Sequence, residues 1–235
     1  MDISIGVHGV INIGGLQLLI TDTIVSTWIV MGVLIALAIV VRVKVCRFKE
    51  IPTGFQNIIE AIVEVFENYL QSTVGPKLMF LGNWFFTLFL FILLSNIGGI
   101  MPGFRPPTAD WAMTVALALV TFVLIQSMGV RYRKTAYIKG LFAPLPWWFP
   151  IPLFLPMNLI GEIARPISIS FRLFGNMLAG LIMMSLIYSI APVASILLLP
   201  AALHVYFDIF AGLIQTYIFV TLSMAFIADA AKLTD

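Results

Sequence analysis

A single arginine lies deep inside an apolar run that is long enough to cross a membrane. This residue, Arg172, stands within Ser168-Ile-Ser-Phe-Arg-Leu-Phe-Gly-Asn-Met-Leu-Ala-Gly180. A guanidinium at that depth costs about 2.5–3.5 kcal/mol on insertion scales. Arginine cannot escape the cost by losing its proton, as a lysine does. The position therefore predicts that the protein uses this charge, and charges at membrane depth mark ion pathways.

Further polar residues follow at helical spacing, in two stripes. Steps of 4, 3, 3, 4 and 4 keep the first stripe on one face of an α-helix. It covers 18 residue steps, about 27 Å at the helical rise. Its members are Asn158, Glu162, Arg165, Ser168, Arg172 and Asn176. The last apolar segment carries the second stripe, which consists of His204, Asp208, Ala211, Gln215 and, further on, Asp229. Asp229 is also typical of a solvated tail, and we interpret it so.

The depth of the stripes follows from the turn between them. We take residues 192–193 as the tip of a helical hairpin. Arg172 then lies about 21 residues before the tip and Gln215 about 22 residues after it, so the helical rise brings both to one level. The two helices are therefore expected to meet at the level of the arginine.

Polar residues lead away from that level in both directions. Asp208 and His204 lie nearer the outside, whereas Glu162 and Asn158 lie nearer the cytoplasm. Intramembrane ionisable residues of this kind line ion routes. The pattern predicts two half-paths for ions that meet at Arg172, in place of one open pore.

Simpler interpretations stand beside this one. An intramembrane arginine can belong to a buried ion pair that fixes helix packing. Asn176 and Gln215 are typical of hydrogen bonds between membrane helices. Glu162 and Arg165 have the spacing of an interfacial i,i+3 ion pair. His204 is equally compatible with a packing role.

Composition determines the class of protein. Of 235 residues, 61% are hydrophobic and only 10% are charged, with a mean hydropathy of +1.06. Soluble domains carry roughly 25% charged residues. A chain of this size cannot bury so much apolar surface in water, so it is a polytopic membrane protein. The net charge of +2 is too small to argue for a nucleic-acid partner.

Five apolar segments meet the length of about 20 residues that a spanning helix needs. They are residues 22–41, 80–101, 111–130, 157–190 and 196–228. Their length excludes the short alternating strands of a membrane barrel. We predict an all-α integral membrane protein with five transmembrane helices, a long polar-striped C-terminal hairpin, and one membrane domain over residues 1–235.

Basic residues set the expected orientation. Clusters of lysine and arginine follow the first and third spans, at residues 42–49 and 131–139. Because cytoplasmic loops carry the excess of positive charge, the N-terminus is expected outside and the C-terminus inside.

Two segments are not expected to span. Residues 53–72 carry Glu60, Glu64, Glu67 and Gln71 as one polar stripe, which is typical of an amphipathic helix at the cytoplasmic surface. The acids favour contact with protein over contact with anionic lipid. Residues 140–156 contain five prolines, which forbid a regular helix.

Motifs of soluble enzymes are absent from the sequence. It has no phosphate-binding glycine-rich loop, no His-Glu-x-x-His and no nucleophile elbow. The single Cys46 excludes an intrachain disulfide and cysteine-based metal clusters. We predict no catalytic site, no cofactor and no metal, so any chemistry that the chain drives is performed by a partner.

Two motifs closely resemble subunit a of the F-type ATP synthases. They are Arg165-Pro-Ile-Ser-Ile-Ser-Phe-Arg-Leu-Phe-Gly-Asn-Met177 and Gln215-Thr-Tyr-Ile-Phe219. The first is long and highly specific. The layout is similar too, with an external N-terminus, a surface helix after the first span and a long final hairpin. The resemblance covers nearly the whole chain.

The resemblance implies a role as membrane stator. The final two helices would lie against a rotating ring of c subunits, with peripheral-stalk b subunits and the bilayer as further partners, in a bacterial inner membrane. Arg172 would match the family's essential arginine, and Asn176 and Gln215 its polar companions. The family often places a second ionisable group opposite Asp208, where this chain has Leu181. Asp208 would therefore act alone or with His204.

The alternative is a self-contained secondary transporter or channel. Such proteins often show internal repeats with broken helices at mid-membrane. We find no repeat, and only one half of the chain carries polar stripes, which favours the stator. The sequence leaves the coupling ion open between proton and sodium, since the ligands for sodium are expected on the c ring.

Overall fold

Helices make up most of the chain. The structure, a computed structural model, describes residues 7–13, 16–46, 48, 54–101, 103–137, 151–190 and 202–231. The strands are β1 (Val7–Ile13) and β2 (Leu16–Thr21). The helices are α1 (Asp22–Val45), α2 (Phe55–Val74), α3 (Gly82–Ile97), α4 (Trp111–Arg133), α5 (Ile151–Ile190) and α6 (Ala202–Ala231). Short 3-10 turns flank α3, at Pro76–Leu81 and Gly98–Ile100.

Five of these helices, all except α2, are long and apolar enough to cross a membrane. Helix α1 exposes bulky apolar side chains such as Trp28 and Ile35 along its length. A helix pairs its backbone groups within itself, and hydrocarbon offers them no other partner. The predicted all-α class with five membrane-length helices is confirmed.

Helix α2 is amphipathic, as predicted. Its acidic stripe is exposed, while Leu70 and Val74 are buried against the bundle. The Tyr69 hydroxyl lies 2.5 Å from the Thr221 hydroxyl of α6. The ring of Phe66 packs edge-on against Phe86 of α3, with centroids 5.1 Å apart. These contacts hold α2 against the bundle with its acids outward.

Strands β1 and β2 form an antiparallel hairpin before the first span. Sequence analysis did not predict it. The two residues between the strands in the sequence are Gly14 and Gly15, a dipeptide typical of two-residue hairpin loops. That signal was present, and so was part of the alternation typical of strands, with Asn12 and Gln17 each between apolar neighbours.

Helix α5 begins earlier than the proline pattern predicted. We expected no regular helix before residue 157, yet the helix starts at Ile151. Pro152 falls in its first turn, where a missing N–H costs no helical hydrogen bond. The helix also continues through Pro156 in its second turn, at the cost of one helical hydrogen bond. The prediction was wrong because it treated these prolines as an absolute barrier to helix.

Helix α6 contains a π-helical turn at Val205–Ala211, after which α-helix resumes at Gly212. We had assumed α-helical spacing for the whole second stripe. A π-turn changes the backbone pairing from i,i+4 to i,i+5 and often marks a functional site. The regular face expected for Asp208 and Gln215 is therefore interrupted between them.

The core lies where α6 packs against α2, α3 and α4. Its largest fully buried side chains include Phe85 and Ile92 of α3 and Phe219 and Met224 of α6. Helix α5 packs on α4 and α6 from one side. Half of its surface stays outside the core, and that half carries the polar stripe.

Asp110 links the start of α4 to the start of α1. Its carboxylate caps α4 by accepting the Ala112 N–H at 2.9 Å, and it accepts the Thr23 hydroxyl of α1 at 2.9 Å. Nearby, Arg105 forms an ion pair with Asp22 at 3.6 Å. The loop before α4 is thereby tied to the start of α1.

We expect Asp110→Ala to lower the free energy of unfolding by about 0.5–2 kcal/mol, the usual cost of a lost N-cap. Unfolding of the purified chain in detergent measures it. The matched control is Glu67→Ala on the exposed stripe of α2, which should stay within about 0.5 kcal/mol. Equal stability of both variants would contradict the capping role.

Candidate functional site

The polar stripe of α5 lies on the outer surface of the chain. None of its six members is fully buried. Arg172 and Ser168 are exposed, and the other four are half-buried. The buried side of the helix is formed by Ile169, Leu173, Met177 and Met184. The exposed middle of the stripe therefore faces whatever adjoins the chain, whereas Glu162, Arg165 and Asn176 also contact α4 or α6.

Arg172 has no ion-pair partner within the described part of the chain. Its side chain is exposed. The simpler interpretation of a buried ion pair with Asp208 does not hold, because Asp208 pairs with His204. An exposed, permanently charged guanidinium at membrane depth needs a counter-charge from outside the chain.

Helices α5 and α6 touch just outward of the arginine. The Asn176 side chain donates a hydrogen bond to the Ala211 carbonyl at 3.5 Å. One turn further, Gly180 lies against Phe207, and a Cβ on this glycine would sit 3.4 Å from the Phe207 Cβ. Arg172 lies four residues before Asn176, and Gln215 lies four residues after Ala211. Both are on the side of this contact that is farther from residues 192–193.

Gln215 is buried, with 5% of its surface exposed. Whether it and Arg172 act together in ion transfer stays a prediction. The predicted hairpin tip at residues 192–193 lies outside the described residues.

Asp208, His204 and Tyr188 form a cluster that we call the outer cluster, after the predicted orientation of the chain. His204 Nδ1 donates to the Asp208 carboxylate at 2.6 Å. The Tyr188 hydroxyl of α5 lies 3.2 Å from His204 Nε2. His204 is therefore hydrogen-bonded at both ring nitrogens, which is more than a packing role requires. These three groups form a continuous hydrogen-bonded chain between α5 and α6.

Tyr188 was missed by the sequence analysis. It lies about three turns beyond Asn176, the last member of the polar stripe, on a part of α5 that reads as ordinary apolar helix with Leu181. The predicted hairpin tip does not place it beside His204, because Tyr188 lies about 4 residues before the tip and His204 about 11 residues after it. In the structure the hydrogen-bonding companion of Asp208 is His204.

A second cluster, which we call the inner cluster after the predicted orientation, surrounds Glu162. Its carboxylate forms the predicted i,i+3 ion pair with Arg165 at 3.1 Å, and Gln126 of α4 donates to it at 3.1 Å. The Tyr137 hydroxyl donates to the Gln126 carbonyl oxygen at 2.9 Å. Burial, with the nearby negative charge of Glu162, raises the pKa of Tyr137 above its usual range. Tyr137 therefore stays a proton donor at neutral pH and orients the Gln126 amide toward Glu162.

The inner cluster also reaches α6. Arg165 lies 3.6 Å from Asp229 and stacks over the Phe226 ring at 5.1 Å. We had interpreted Asp229 as part of a solvated tail, and the ion pair corrects that interpretation. The Asp229 side chain is still 68% exposed, so this contact is weak. Asn158, half-buried, lies one turn inward of Glu162.

Among the described residues, Arg172 has no ion-pair partner and lies between two polar clusters. Gln126, Tyr137 and Asp229 join the predicted residues at the inner side, and Tyr188 joins them at the outer side. Such groups can exchange protons or replace water around a cation in passage. The exposed guanidinium can attract a partner's carboxylate.

Comparison with known proteins agrees with this chemistry. Residues 24–228 match the family described as ATP synthase A chain. The chain is 39% identical to ATP synthase subunit a 2 of Syntrophotalea carbinolica, over 89% of this chain and 85% of the relative. It is 38% identical to the sodium ion specific ATP synthase subunit a of Propionigenium modestum, over 92% and 77%. Identity to ATP synthase subunit a of Citrifermentans bemidjiense is 37%, over 90% and 88%.

The fold and the site together define an ion-translocating membrane protein. The chain belongs to the ATP synthase A chain family, that is, to subunit a of the ATP synthases. The resemblance found in the sequence is confirmed. The protein is an ion-translocating stator subunit that acts in ion transport and ATP synthesis, in a complex with a c ring.

Proposed function

We propose that Arg172 separates two half-paths, each of which connects one side of the membrane to the c ring. The observation that carries this proposal is the position of Arg172: exposed, without an ion-pair partner in the described chain, and between two hydrogen-bonded polar clusters. A guanidinium that serves only packing would be paired within the chain.

The outer half-path uses Asp208 and His204, and the inner half-path uses Glu162 and Asn158. Asp208 is buried to 8% exposure yet hydrogen-bonded, so a carboxylate is held at depth with a route through His204. Glu162 is likewise held by two donors from different helices. Asn176 and Gln215 line the level at which the two half-paths meet.

Electrostatics gives the mechanism. A c-ring carboxylate that faces Arg172 is stabilised in its ionised form, so it gives up its ion there. Before it rotates into lipid it must be neutralised by an ion, because burying it charged is costly. Loading from one half-path and release into the other then couples rotation to transport. Each charge contributes about 2.3 kcal/mol per 100 mV.

The remaining partners follow from the exposed surfaces. We propose that the acidic stripe of α2 contacts peripheral-stalk b subunits at the cytoplasmic surface, and that α1 faces lipid. The chain forms one membrane domain of a bacterial inner membrane, with its N-terminus outside. One relative is named sodium ion specific, and we leave the coupling ion of this chain between proton and sodium.

Thiol labelling tests the two half-paths. In a Cys46→Ser background, we expect His204→Cys and Asp208→Cys to react with a membrane-impermeant reagent added outside. Asn158→Cys and Glu162→Cys should react with reagent added inside. A thiol in water ionises and reacts, whereas one in lipid stays protonated.

Matched controls stand beside each site. Val205 and Ile163 are neighbours whose apolar side chains are exposed on the bundle surface, so Val205→Cys and Ile163→Cys should stay unlabelled. Labelling of positions 204 and 208 from the cytoplasmic side alone would reverse the orientation. Equal labelling of the controls would remove the argument for defined paths.

A further inference from the structure

A fully buried polar cluster links the end of α3 to α6. Asn96, Thr108 and Thr216 each have 0% exposure. Thr108 Oγ1 donates to Asn96 Oδ1 at 2.7 Å. Asn96 Nδ2 donates to the Gly212 carbonyl at 3.0 Å and to Thr216 Oγ1 at 3.2 Å. Both donors of the amide and its oxygen thus have named partners.

The acceptor of the Asn96 amide is unusual in its position. Gly212 is the first α-helical residue after the π-turn. The change of pairing at the end of such a turn disturbs the regular partners of the carbonyls there. Thr216 Oγ1 also donates to the Gly212 carbonyl, at 2.8 Å. Gly212 itself permits the approach, because a Cβ there would lie 2.9 Å from the Asn96 Cβ.

The π-turn determines where Asp208 points. One extra residue in a turn rotates the two sides of the helix by about 100° relative to each other. Asp208 is inside this turn, so part of that rotation lies between it and the α-helix that resumes at Gly212. In the observed register the Asp208 carboxylate lies against the end of α3, where a Cβ on Gly99 would sit 3.3 Å from Asp208 Oδ1. A purely α-helical α6 would turn this carboxylate away from Gly99.

We propose that Asn96 is a positioning residue, which Thr108 orients and which holds the π-turn of α6 so that Asp208 faces the end of α3. The importance of that direction for transport rests on the proposed outer half-path. The positioning of Asp208 by Asn96 does not rest on that half-path, and it can be tested without a transport measurement.

Disulfide formation reports the direction of residue 208. In a complex that carries Cys46→Ser, the pair Gly99→Cys and Asp208→Cys should crosslink on oxidation, because the two side chains meet within the range of a disulfide. Adding Asn96→Leu, which keeps the bulk and removes the donor, should slow crosslinking by about tenfold. That factor corresponds to the loss of one buried hydrogen bond, since the Gly212 carbonyl keeps Thr216 Oγ1 as a donor.

A second cysteine pair reports whether the rest of the fold is intact. The Ser170 and Thr114 hydroxyls are 3.2 Å apart between α5 and α4, so Ser170→Cys with Thr114→Cys should crosslink equally with and without Asn96→Leu. Where Asn96→Leu also disrupts this control pair, Thr108→Val replaces it. That milder change should slow the 99/208 pair by about threefold and spare the control pair.

Undiminished crosslinking of the 99/208 pair in Asn96→Leu overturns the proposal. If Asn96→Leu disrupts the control pair, undiminished crosslinking of the 99/208 pair in Thr108→Val overturns the proposal instead. ATP synthesis by Asn96→Leu with Asp208 in place separates this inference from the proposed function. Slow crosslinking together with normal synthesis means that Asn96 positions residue 208 and that the outer half-path does not need Asp208 there.

Discussion

Replacing Arg172 by alanine is expected to reduce ion-driven ATP synthesis by about 100-fold or more, because an interaction worth about 3 kcal/mol changes a rate by roughly that factor. The complex should still assemble, since the side chain is exposed and has no ion-pair partner within the described residues. Synthesis in membrane vesicles after an imposed ion gradient measures the loss. Copurification of the c ring measures assembly.

Arg172→Lys should fail nearly as completely. The guanidinium is a planar, permanent charge with a fixed set of donors, whereas a lysine in an apolar site loses its proton more readily. The matched control is Phe171→Leu, the adjacent exposed residue of α5, which lies against Trp111 with ring centroids 5.9 Å apart. It should retain near-normal synthesis. Near-normal synthesis by Arg172→Ala would refute the role of the charge.

Asp208→Asn is expected to slow synthesis by about tenfold, which corresponds to the loss of a hydrogen bond to a charged group. The carboxylate is the acceptor of His204 at 2.6 Å, and asparagine keeps the shape without the charge. Uptake from outside should then be limiting. The variant should therefore need a higher external concentration of the coupling ion, which is titrated separately with protons and with sodium.

Two companions sharpen this test. Glu162→Gln should change the dependence on the internal ion concentration and leave the external dependence as it was. Tyr188→Phe removes only a 3.2 Å contact of an exposed hydroxyl, so its effect should stay near threefold. An Asp208→Asn variant with an unchanged external dependence would show that ions bypass Asp208.

The site illustrates how far residue patterns reach. Arg172 was predicted as a charge at membrane depth, because apolar length and permanent charge are properties of the sequence. Its exposure and its lack of an ion-pair partner among the described residues came from the structure. The i,i+3 pair of Glu162 and Arg165 was also predictable, since its geometry is local to one helix turn. The third residue around that carboxylate, Gln126, comes from α4 and could not be assigned from spacing.

Errors arose where backbone geometry departed from an ideal helix. Proline counting delayed the start of α5 by six residues, although Pro152 is tolerated in a first turn. Uniform α-helical spacing was assumed through residues 205–211, where the chain forms a π-turn. The hairpin of β1 and β2 was missed although Asn12 and Gln17 stand between apolar neighbours on either side of two glycines.

The sequence by itself determined the class, the five spans, the amphipathic α2 and the charge at membrane depth, because hydropathy, length and permanent charge do not depend on which helices are neighbours. Only the tertiary structure decided the partners of each polar group. The π-turn in α6 places Asp208 beside Gly99 and His204, and the register of the hairpin brings Tyr188 to His204. These choices depend on contacts between residues far apart in the chain, such as the Asn96 amide and the Gly212 carbonyl, and no local pattern encodes them.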